Sequence, residues 1–104
     1  MSEEYVITVL DHGQRVDLED DNVDVLVYFA DGSKCAATFF TLENIRRLFF
    51  KNRTTGECAS GKYLWAANMI IVESLDEETI QAAVADLMAS GEFARAFDGP
   101  HPID

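Results

Sequence analysis

Two strands joined by an Asp-Gly turn are the feature of this sequence that most restricts its fold. Residues 23–30 are rich in β-branched and aromatic side chains, with apolar residues at both odd and even positions. Apolar residues on both faces indicate a strand in the centre of a sheet. Asp31 and Gly32 form a preferred two-residue hairpin turn, so residues 33–40 are predicted to be the antiparallel partner.

The segments on either side of this hairpin predict further strands and a helix. Residues 5–10 predict a first strand, and residues 14–19 are expected to return as a short edge strand. Thr41 is suited to cap a helix that ends near Lys51. The apolar residues of that helix have helical spacing and are Leu42, Ile45, Leu48 and Phe49.

The second half of the chain predicts a loop, an apolar run and a second helix. Residues 52–61 form a polar loop, and residues 62–73 fit either one long bent strand or two short strands. Ser74 and Glu77 have capping-box spacing at the start of a helix that reaches Gly91, a favourable C-cap. Residues 92–97 predict a short turn that buries Phe93 and Phe97.

The element order β-β-β-α-β(β)-α predicts an α+β protein. We expect a mostly antiparallel sheet of four to five strands with two main helices packed on one face. The intervening helix would also allow one parallel pairing through a right-handed crossover. Residues 1–97 are predicted to form a single domain, and residues 98–104 a flexible C-terminal tail, because this segment contains two prolines and a glycine.

The formal net charge of −11 is distributed unevenly along the chain. Residues 1–32 carry nine acids and one base, and residues 73–104 carry eight acids and one base. Residues 33–72 carry six bases and two acids, and therefore have a net charge of +4. The overall acidity argues against binding to nucleic acid or to an anionic membrane by the chain as a whole.

Residues 56–62 have the pattern G-x-x-x-x-G-K, which resembles a nucleotide-binding P-loop. A P-loop follows a strand and precedes a helix, and a Ser or Thr after the lysine binds magnesium. Here the loop follows a predicted helix, precedes a predicted strand, and has Tyr63 after Lys62. The sequence therefore favours a helix-to-strand connection in which the glycines adopt positive φ.

Two further patterns suggest chemistry but are incomplete. Cys58 would need a base to act as a nucleophile, and the only histidines are His12 in a turn and His101 near the end. Residues 20–31 place Asp20, Asn22 and Asp24 like the first ligands of an EF-hand, without its central glycine or its flanking helices. We therefore predict no catalytic residue, no metal site and no cofactor.

A cluster of basic and aromatic residues in the middle of the chain is the candidate binding site. A solvated helix end explains some of these cations, because cations at a helix C-terminus interact favourably with the helix dipole. An alternative is that they pair with the acidic ends of the same chain. Trp65, in an apolar segment, is expected to lie in the core more often than on a binding surface. The candidate binding residues are Arg46, Arg47, Lys51, Arg53, Lys62, Tyr63 and Trp65.

Three segments within residues 41–97, TLENIRRLF, TGECASGKYLWAANMIIVESL and GEFARAF, carry a resemblance. They resemble small acidic bacterial proteins of unassigned function, which are sometimes compared with immunity-type proteins. The resemblance implies an α+β fold and no particular activity. No functional residue is transferred from it.

The sequence as a whole favours a non-enzymatic protein that binds a protein partner, either a basic protein or a second copy of itself. One alternative is an immunity-type inhibitor of a basic toxin or nuclease, and another is a small enzyme that uses Cys58 in the 56–62 loop. No apolar run reaches the ~18–20 residues that span a bilayer, and the first residues lack a signal-peptide pattern. With only two separated cysteines, Cys35 and Cys58, we expect reduced thiols and a cytoplasmic location.

Overall fold

Five strands and four helical segments make up the computed structural model, which describes residues 4–11 and 13–102. The strands are β1 (Tyr5–Leu10), β2 (Asn22–Phe29), β3 (Ser33–Thr41), β4 (Met69–Val72) and β5 (Asp98–Pro102). The helical segments are α1 (Leu42–Thr55), α2 (Glu57–Gly61), α3 (Glu77–Ser90) and α4 (Phe93–Ala96). The α+β class and the mostly antiparallel sheet are as predicted.

The first three strands form an antiparallel meander with β1 at the edge of the sheet. In the predicted hairpin, β2 pairs with β3 so that Val27 lies opposite Cys35. The turn is held by the Asp31 carboxylate, which accepts hydrogen bonds from the Ser33 amide at 2.9 Å and the Ser33 hydroxyl at 2.6 Å. These two bonds, the hydroxyl bond foremost, lower the pKa of Asp31 below its usual value.

Two short strands share the second edge of β3. At one end β4 runs parallel to it, with Thr38 opposite Met69, as the helical crossover allowed. At the other end β5 runs antiparallel, with Ser33 opposite Pro102. The prediction of a flexible tail is therefore wrong for residues 98–102, which form a paired strand. Residues 103–104 lie outside the described residues.

Gly99 explains how this C-terminal strand reaches β3. A Cβ atom at Gly99 would lie 2.8 Å from the Lys34 carbonyl oxygen, closer than real Cβ atoms approach other atoms, and 3.1 Å from Cys35 Sγ. Only glycine permits the backbones to come this near. The prolines are tolerated because β5 lies at the edge of the sheet, where one side of the strand needs no partner.

The hydrophobic core lies on one face of the sheet. Its buried members come from β2, β3, β4, the 72–75 segment, α3 and the end of α4: Val23, Val25, Val27, Cys35, Ala37, Phe39, Val72, Leu75, Ile80, Val84 and Phe97. Phe93 stacks on Phe97 with ring centroids 4.4 Å apart, which confirms that both rings pack inward. Helices α3 and α4 supply the helical side of this core.

Helix α3 begins two residues later than the Ser74 capping box predicted. Its N-cap is Asp76, whose carboxylate accepts the Thr79 amide at 2.7 Å, while the Ser74 hydroxyl accepts the Asp76 amide. Asp76 lies directly before the free N–H groups of the first turn, so its carboxylate accepts one of them more readily than the Ser74 hydroxyl could. The predicted C-cap is confirmed, because Gly91 adopts the left-handed conformation.

Helix α1 begins at the predicted cap, since Thr41 Oγ1 accepts the Asn44 amide at 3.1 Å. It continues past Lys51 to Thr55 and ends at Gly56, whose φ is +87°. Its fully buried residues are two asparagines, Asn44 and Asn52. The predicted apolar face is wrong in one member, because Leu42 is exposed.

Two predicted strands are absent from the described residues. Residues 14–19 form a bend and a turn without strand pairing, and residues 62–68 precede β4 without joining the sheet. In the first segment, Leu18 uses its carbonyl to accept the Leu75 amide at 2.8 Å, which ties it to the start of α3. The apolar run after Lys62 therefore contributes only four residues to the sheet.

Candidate interaction surface on helix α1

The outward side of α1 carries a line of alternating apolar and basic residues. Leu42, Arg46, Phe50 and Arg53 follow one another at spacings of three or four residues, which places them on one side of a helix. All four are exposed, and the Phe50 ring is 71% exposed. Phe50 has the highest exposed fraction among the large apolar residues of the described part of the chain.

All seven predicted binding residues are exposed, and two of them have carboxylate partners. Arg46 lies 3.7 Å from Glu43 on the same helix. Arg47 contacts Asp20 in the acidic segment, and this hydrogen bond, with the neighbouring negative charge, raises the pKa of Arg47. Arg47 therefore joins α1 to the N-terminal acidic segment. Because its charge is already paired within the chain, we do not count it among the binding residues.

The other three cations, Lys51, Arg53 and Lys62, have no carboxylate partner among the described residues. Arg53 lies where α2 folds back on α1. A Cβ atom built on Gly61 would lie 2.7 Å from Arg53 Cγ and 2.7 Å from the Phe49 carbonyl oxygen. Lys62 follows directly and donates from Nζ to the Ala59 carbonyl at 3.4 Å.

Segment α2 is a turn of left-handed helix. Cys58, Ala59 and Ser60 have φ values of 51°, 53° and 59°, and Gly61 continues at 80°. Each left-handed non-glycine residue costs roughly 1–2 kcal/mol. The turn is closed by bonds from the Ser60 amide to Gly56 O and from the Lys62 amide to Cys58 O.

This geometry excludes the P-loop resemblance. A P-loop directs free backbone N–H groups at phosphates, whereas here the Ser60 and Lys62 amides bond within the turn. Residues 62–68, which follow the loop, are not helical. The helix-to-strand connection with glycines at positive φ is confirmed, although the three other left-handed residues were not predicted.

Tyr63 and Trp65 extend the exposed region beyond α2. Trp65 is 69% exposed and Tyr63 51% exposed, and neither lies in a strand. The expectation that Trp65 belongs to the core is therefore wrong. The segment of residues 62–65 leaves α2 and presents both rings to solvent before the chain enters β4.

We call the exposed set formed by these residues the α1 surface. Its members are Leu42, Arg46, Phe50, Lys51, Arg53, Lys62, Tyr63 and Trp65. Leu42 and Phe50 were missed as binding residues. The sequence contained an indication of this, because both lie four residues from Arg46 and therefore share its side of the helix.

The cysteines and histidines do not form a described catalytic pair. His101 Nε2 lies 3.2 Å from the Asp98 carboxylate on β5, and His12 lies outside the described residues. Burial, followed by the charges of Asp98 and Asp31, raises the pKa of the Cys35 thiol, which makes it a poor nucleophile.

The acidic segment of residues 17–24 uses several of its carboxylates to hold its own backbone. Asp17 accepts the Glu19 amide at 3.0 Å, and Asp21 accepts the amides of Asp17 and Asn22. Thr38 donates its hydroxyl to Asp24 at 3.0 Å. No group of three or more His, Cys, Asp and Glu side chains that could hold a metal occurs in the described part of the chain.

Comparison with family models, with curated proteins and with solved structures gave no match to this chain. Within residues 4–11 and 13–102, the helices are all too short or too polar to cross a membrane.

Proposed function

We propose that this protein is a non-enzymatic interaction protein that binds another protein through the α1 surface. The observation that carries the proposal is the exposure of Phe50 and Trp65 in the stretch of residues 50–65, whose cations have no carboxylate partner among the described residues. Burying two large aromatic rings would remove roughly 300–500 Å² from water. Exposed apolar areas of this size are uncommon on monomeric proteins and are typical of interaction sites.

The composition of the α1 surface is that of a binding hot spot. Trp, Tyr and Arg are the residues most enriched among those that dominate the energy of protein interfaces. Aromatic residues and Arg are enriched in interface cores, while Lys, Glu, Asp, Ser and Ala are depleted, so Lys51 and Lys62 suit the polar rim rather than the core. Glu43, which contacts Arg46, is the acidic residue of α1 on this side of the helix.

The positive charge of the α1 surface indicates which kind of partner surface it would bind. Lys51, Arg53 and Lys62 are exposed in the same stretch of the chain as the rings, and they favour a partner with apolar pockets and an acidic rim. The two acidic ends of the chain repel the same rim, so that such a partner is guided to α1 rather than to the rest of the molecule. An inhibitor of a basic toxin would instead contact those acidic ends.

The test compares three baits made from the full chain. The bait Phe50→Ser/Trp65→Ser removes the two rings, and Ile71→Ser is a matched control that alters an exposed residue of β4. A protein captured by the wild type and by Ile71→Ser, but not by the double variant, is then purified and its affinity measured. Trp65 is the only tryptophan in the chain, so its emission should shift to shorter wavelength when that partner binds.

Two outcomes would contradict the proposal. The first is a partner that binds the double variant as well as it binds the wild type. The second is a partner whose binding is lost on reversing acids in residues 73–104 and is unaffected by Lys51→Glu/Arg53→Glu, which would indicate the inhibitor alternative. A dimer of the purified chain that Phe50→Ser/Trp65→Ser dissociates would assign the surface to self-association.

A further inference from the structure

Strand β1 offers a second binding opportunity, far along the chain from the α1 surface. In the described part of the chain β1 pairs only with β2, so its other edge has backbone N–H and C=O groups without a strand partner. The strand is six residues long and uncharged throughout. Proteins normally shorten, charge or cover such an edge, because it invites another strand to pair with it.

An apolar groove of about 300 Å³ runs along this edge on the core side of the sheet. Ile7 and Val9 of β1 form one wall, Leu18 another, and Ile80 of α3 the third. Val9 is 39% exposed and Leu18 47% exposed, so the groove is open. A volume at the lower limit for ligand pockets suits one or two aliphatic side chains rather than a cofactor.

Two hydrogen bonds fix the position of the segment that carries Leu18. The Leu75 amide donates to the Leu18 carbonyl at 2.8 Å, which fixes the connecting segment against the start of α3. Asp17 accepts the Glu19 amide and so fixes the turn that carries Leu18. A groove whose walls are already positioned loses little conformational freedom when it is filled.

Acidic residues outnumber basic ones around the groove, where Arg15 precedes the lining residue Val16. Glu4 and Asp11 lie at the two ends of β1, and Glu19 follows Leu18. Glu77 lies on the rim, where its carboxylate accepts Gln81 Nε2 at 3.0 Å. The groove and the strand ends therefore favour an occupant that carries Lys or Arg on both sides of an apolar stretch.

The same charges disfavour a second copy of this chain as the occupant. Antiparallel pairing of two β1 strands would bring Glu4 of one copy close to Leu10 and Asp11 of the other. Like charges placed opposite each other destabilise a strand pair. A net charge of −11 on each copy adds to the repulsion.

We propose that the edge of β1 and the groove beside it bind an extended segment of a partner protein by strand addition. The segment has aliphatic residues at alternate positions and Lys or Arg at both ends. Its backbone pairs with β1, and its alternate side chains enter the groove, because successive side chains of a strand point to opposite faces. The site uses none of the residues of the α1 surface, so either proposal can fail alone.

The test uses the peptide acetyl-KVTVTVTK-amide and the full chain labelled with ¹⁵N. We expect saturable shifts of the β1 amides and slower hydrogen exchange along that strand. The peptide with glutamate in place of both lysines should bind at least about tenfold more weakly. A version with its valine and threonine amides N-methylated cannot pair with an edge and should not bind.

Three variants of the chain distinguish binding in the groove from a change in the overall charge or stability of the protein. Leu18→Lys puts a charge in the groove and should weaken binding at least about tenfold. Ile71→Lys, on an exposed residue of the same sheet, should leave binding unchanged. Glu77→Lys should weaken binding of the lysine peptide and strengthen binding of the glutamate peptide, a reversal that a structural role of Glu77 would not produce.

Several results would overturn the proposal. They are shifts confined to residues outside β1 and α3, equal binding of the lysine and glutamate peptides, binding of the N-methylated peptide, and no binding of any peptide at millimolar concentration. Leu18→Lys must keep the wild-type circular dichroism spectrum and urea midpoint. If it does not, the Glu77→Lys reversal decides the question.

Discussion

Two glycines of the α1–α2 connection have similar φ values but different surroundings. Gly56 has a φ of +87° and open space where a Cβ would lie, whereas Gly61 has a φ of +80° and lies against Phe49 O and Arg53. We predict that Gly56→Ala costs about 1 kcal/mol, the backbone term alone. Gly61→Ala should cost more than about 2 kcal/mol, because α2 must also move away from α1.

Urea unfolding of both variants at equal protein concentration measures this difference. Equal losses of unfolding free energy would show that the contact between Gly61 and α1 is not tight in solution. A loss confined to Gly61→Ala in which the α1 amides also shift would locate the damage at the α1–α2 contact.

Asp76 at the start of α3 predicts a dependence of stability on pH. The side-chain hydrogen bond with Thr79, followed by the backbone bond to the same residue, lowers the pKa of Asp76 in the folded state. A lowered folded pKa adds stability above the unfolded value of about 3.9, and this stability is lost as the pH falls through the folded pKa. Asp76→Asn keeps a capping oxygen without the charge.

We therefore expect wild type to be more stable than Asp76→Asn at pH 7, with the gap narrowing below about pH 4. Urea midpoints measured from pH 7 to pH 2.5 check this. A gap independent of pH would contradict a role for the carboxylate charge. Glu78→Gln, an exposed acid in the same first turn without a capping bond, serves as the control.

The rate at which Cys35 is alkylated reports on the pairing of β5 with β3. Gly99 lies against Cys35 Sγ, and the cysteine is 4% exposed. Gly99→Ala would place a Cβ 2.8 Å from Lys34 O and should displace β5. We expect Cys35 alkylation to accelerate at least about tenfold in Gly99→Ala, since protection falls tenfold for each 1.4 kcal/mol of lost stability.

The half-buried Cys58 is an internal reference for that measurement. Its alkylation rate should be the same in wild type and Gly99→Ala, because α2 does not contact β5. Unchanged Cys35 protection in Gly99→Ala would mean that other elements, rather than β5, cover the thiol. Mass spectrometry of the two cysteine peptides separates their rates.

Elements with a local signal were predictable, and elements that depend on distant contacts were not. The β2–β3 hairpin, the Thr41 cap and the Gly91 C-cap follow from neighbouring residues, so the sequence indicated them. Strand β5 contains Pro100 and Pro102, which favour loops locally, and it forms only because Gly99 fits against β3. The exposure of Trp65 likewise depends on where the strand begins, which composition does not determine.

The site was partly predictable for the same reason. Basic residues between acidic ends stand out in the sequence, and all seven predicted residues are exposed. The contact of Arg47 with Asp20 joins segments 27 residues apart and had no local signal. The left-handed conformation of Cys58, Ala59 and Ser60 was equally hidden, because none of these residue types favours it.

The whole molecule is elongated and strongly charged. Its principal extents are 48 × 29 × 23 Å and its Cα radius of gyration is 14.8 Å, above the roughly 13 Å typical of about 100 residues. A net charge of −11 repels itself, and salt screens this repulsion. We predict that the urea midpoint rises as NaCl increases from 10 to 150 mM.

A variant with fewer charges is the control for the salt dependence. Glu4→Gln/Glu73→Gln/Asp86→Asn removes three exposed acids and leaves a net charge of −8, so its midpoint should rise less with salt. A midpoint that falls with salt would mean that attractions such as Arg47 to Asp20 outweigh the repulsion.

The shared edge of β3 has a consequence during synthesis of the protein. Residues 33–36 are made when about a third of the chain has been synthesised, but their partner, β5, spans residues 98–102. At 5–20 residues per second, the ribosome needs roughly 3–12 s to bridge that interval. For that time the nascent chain displays an open strand containing Cys35, and a chaperone or another nascent chain can reach it before its own C-terminal strand does.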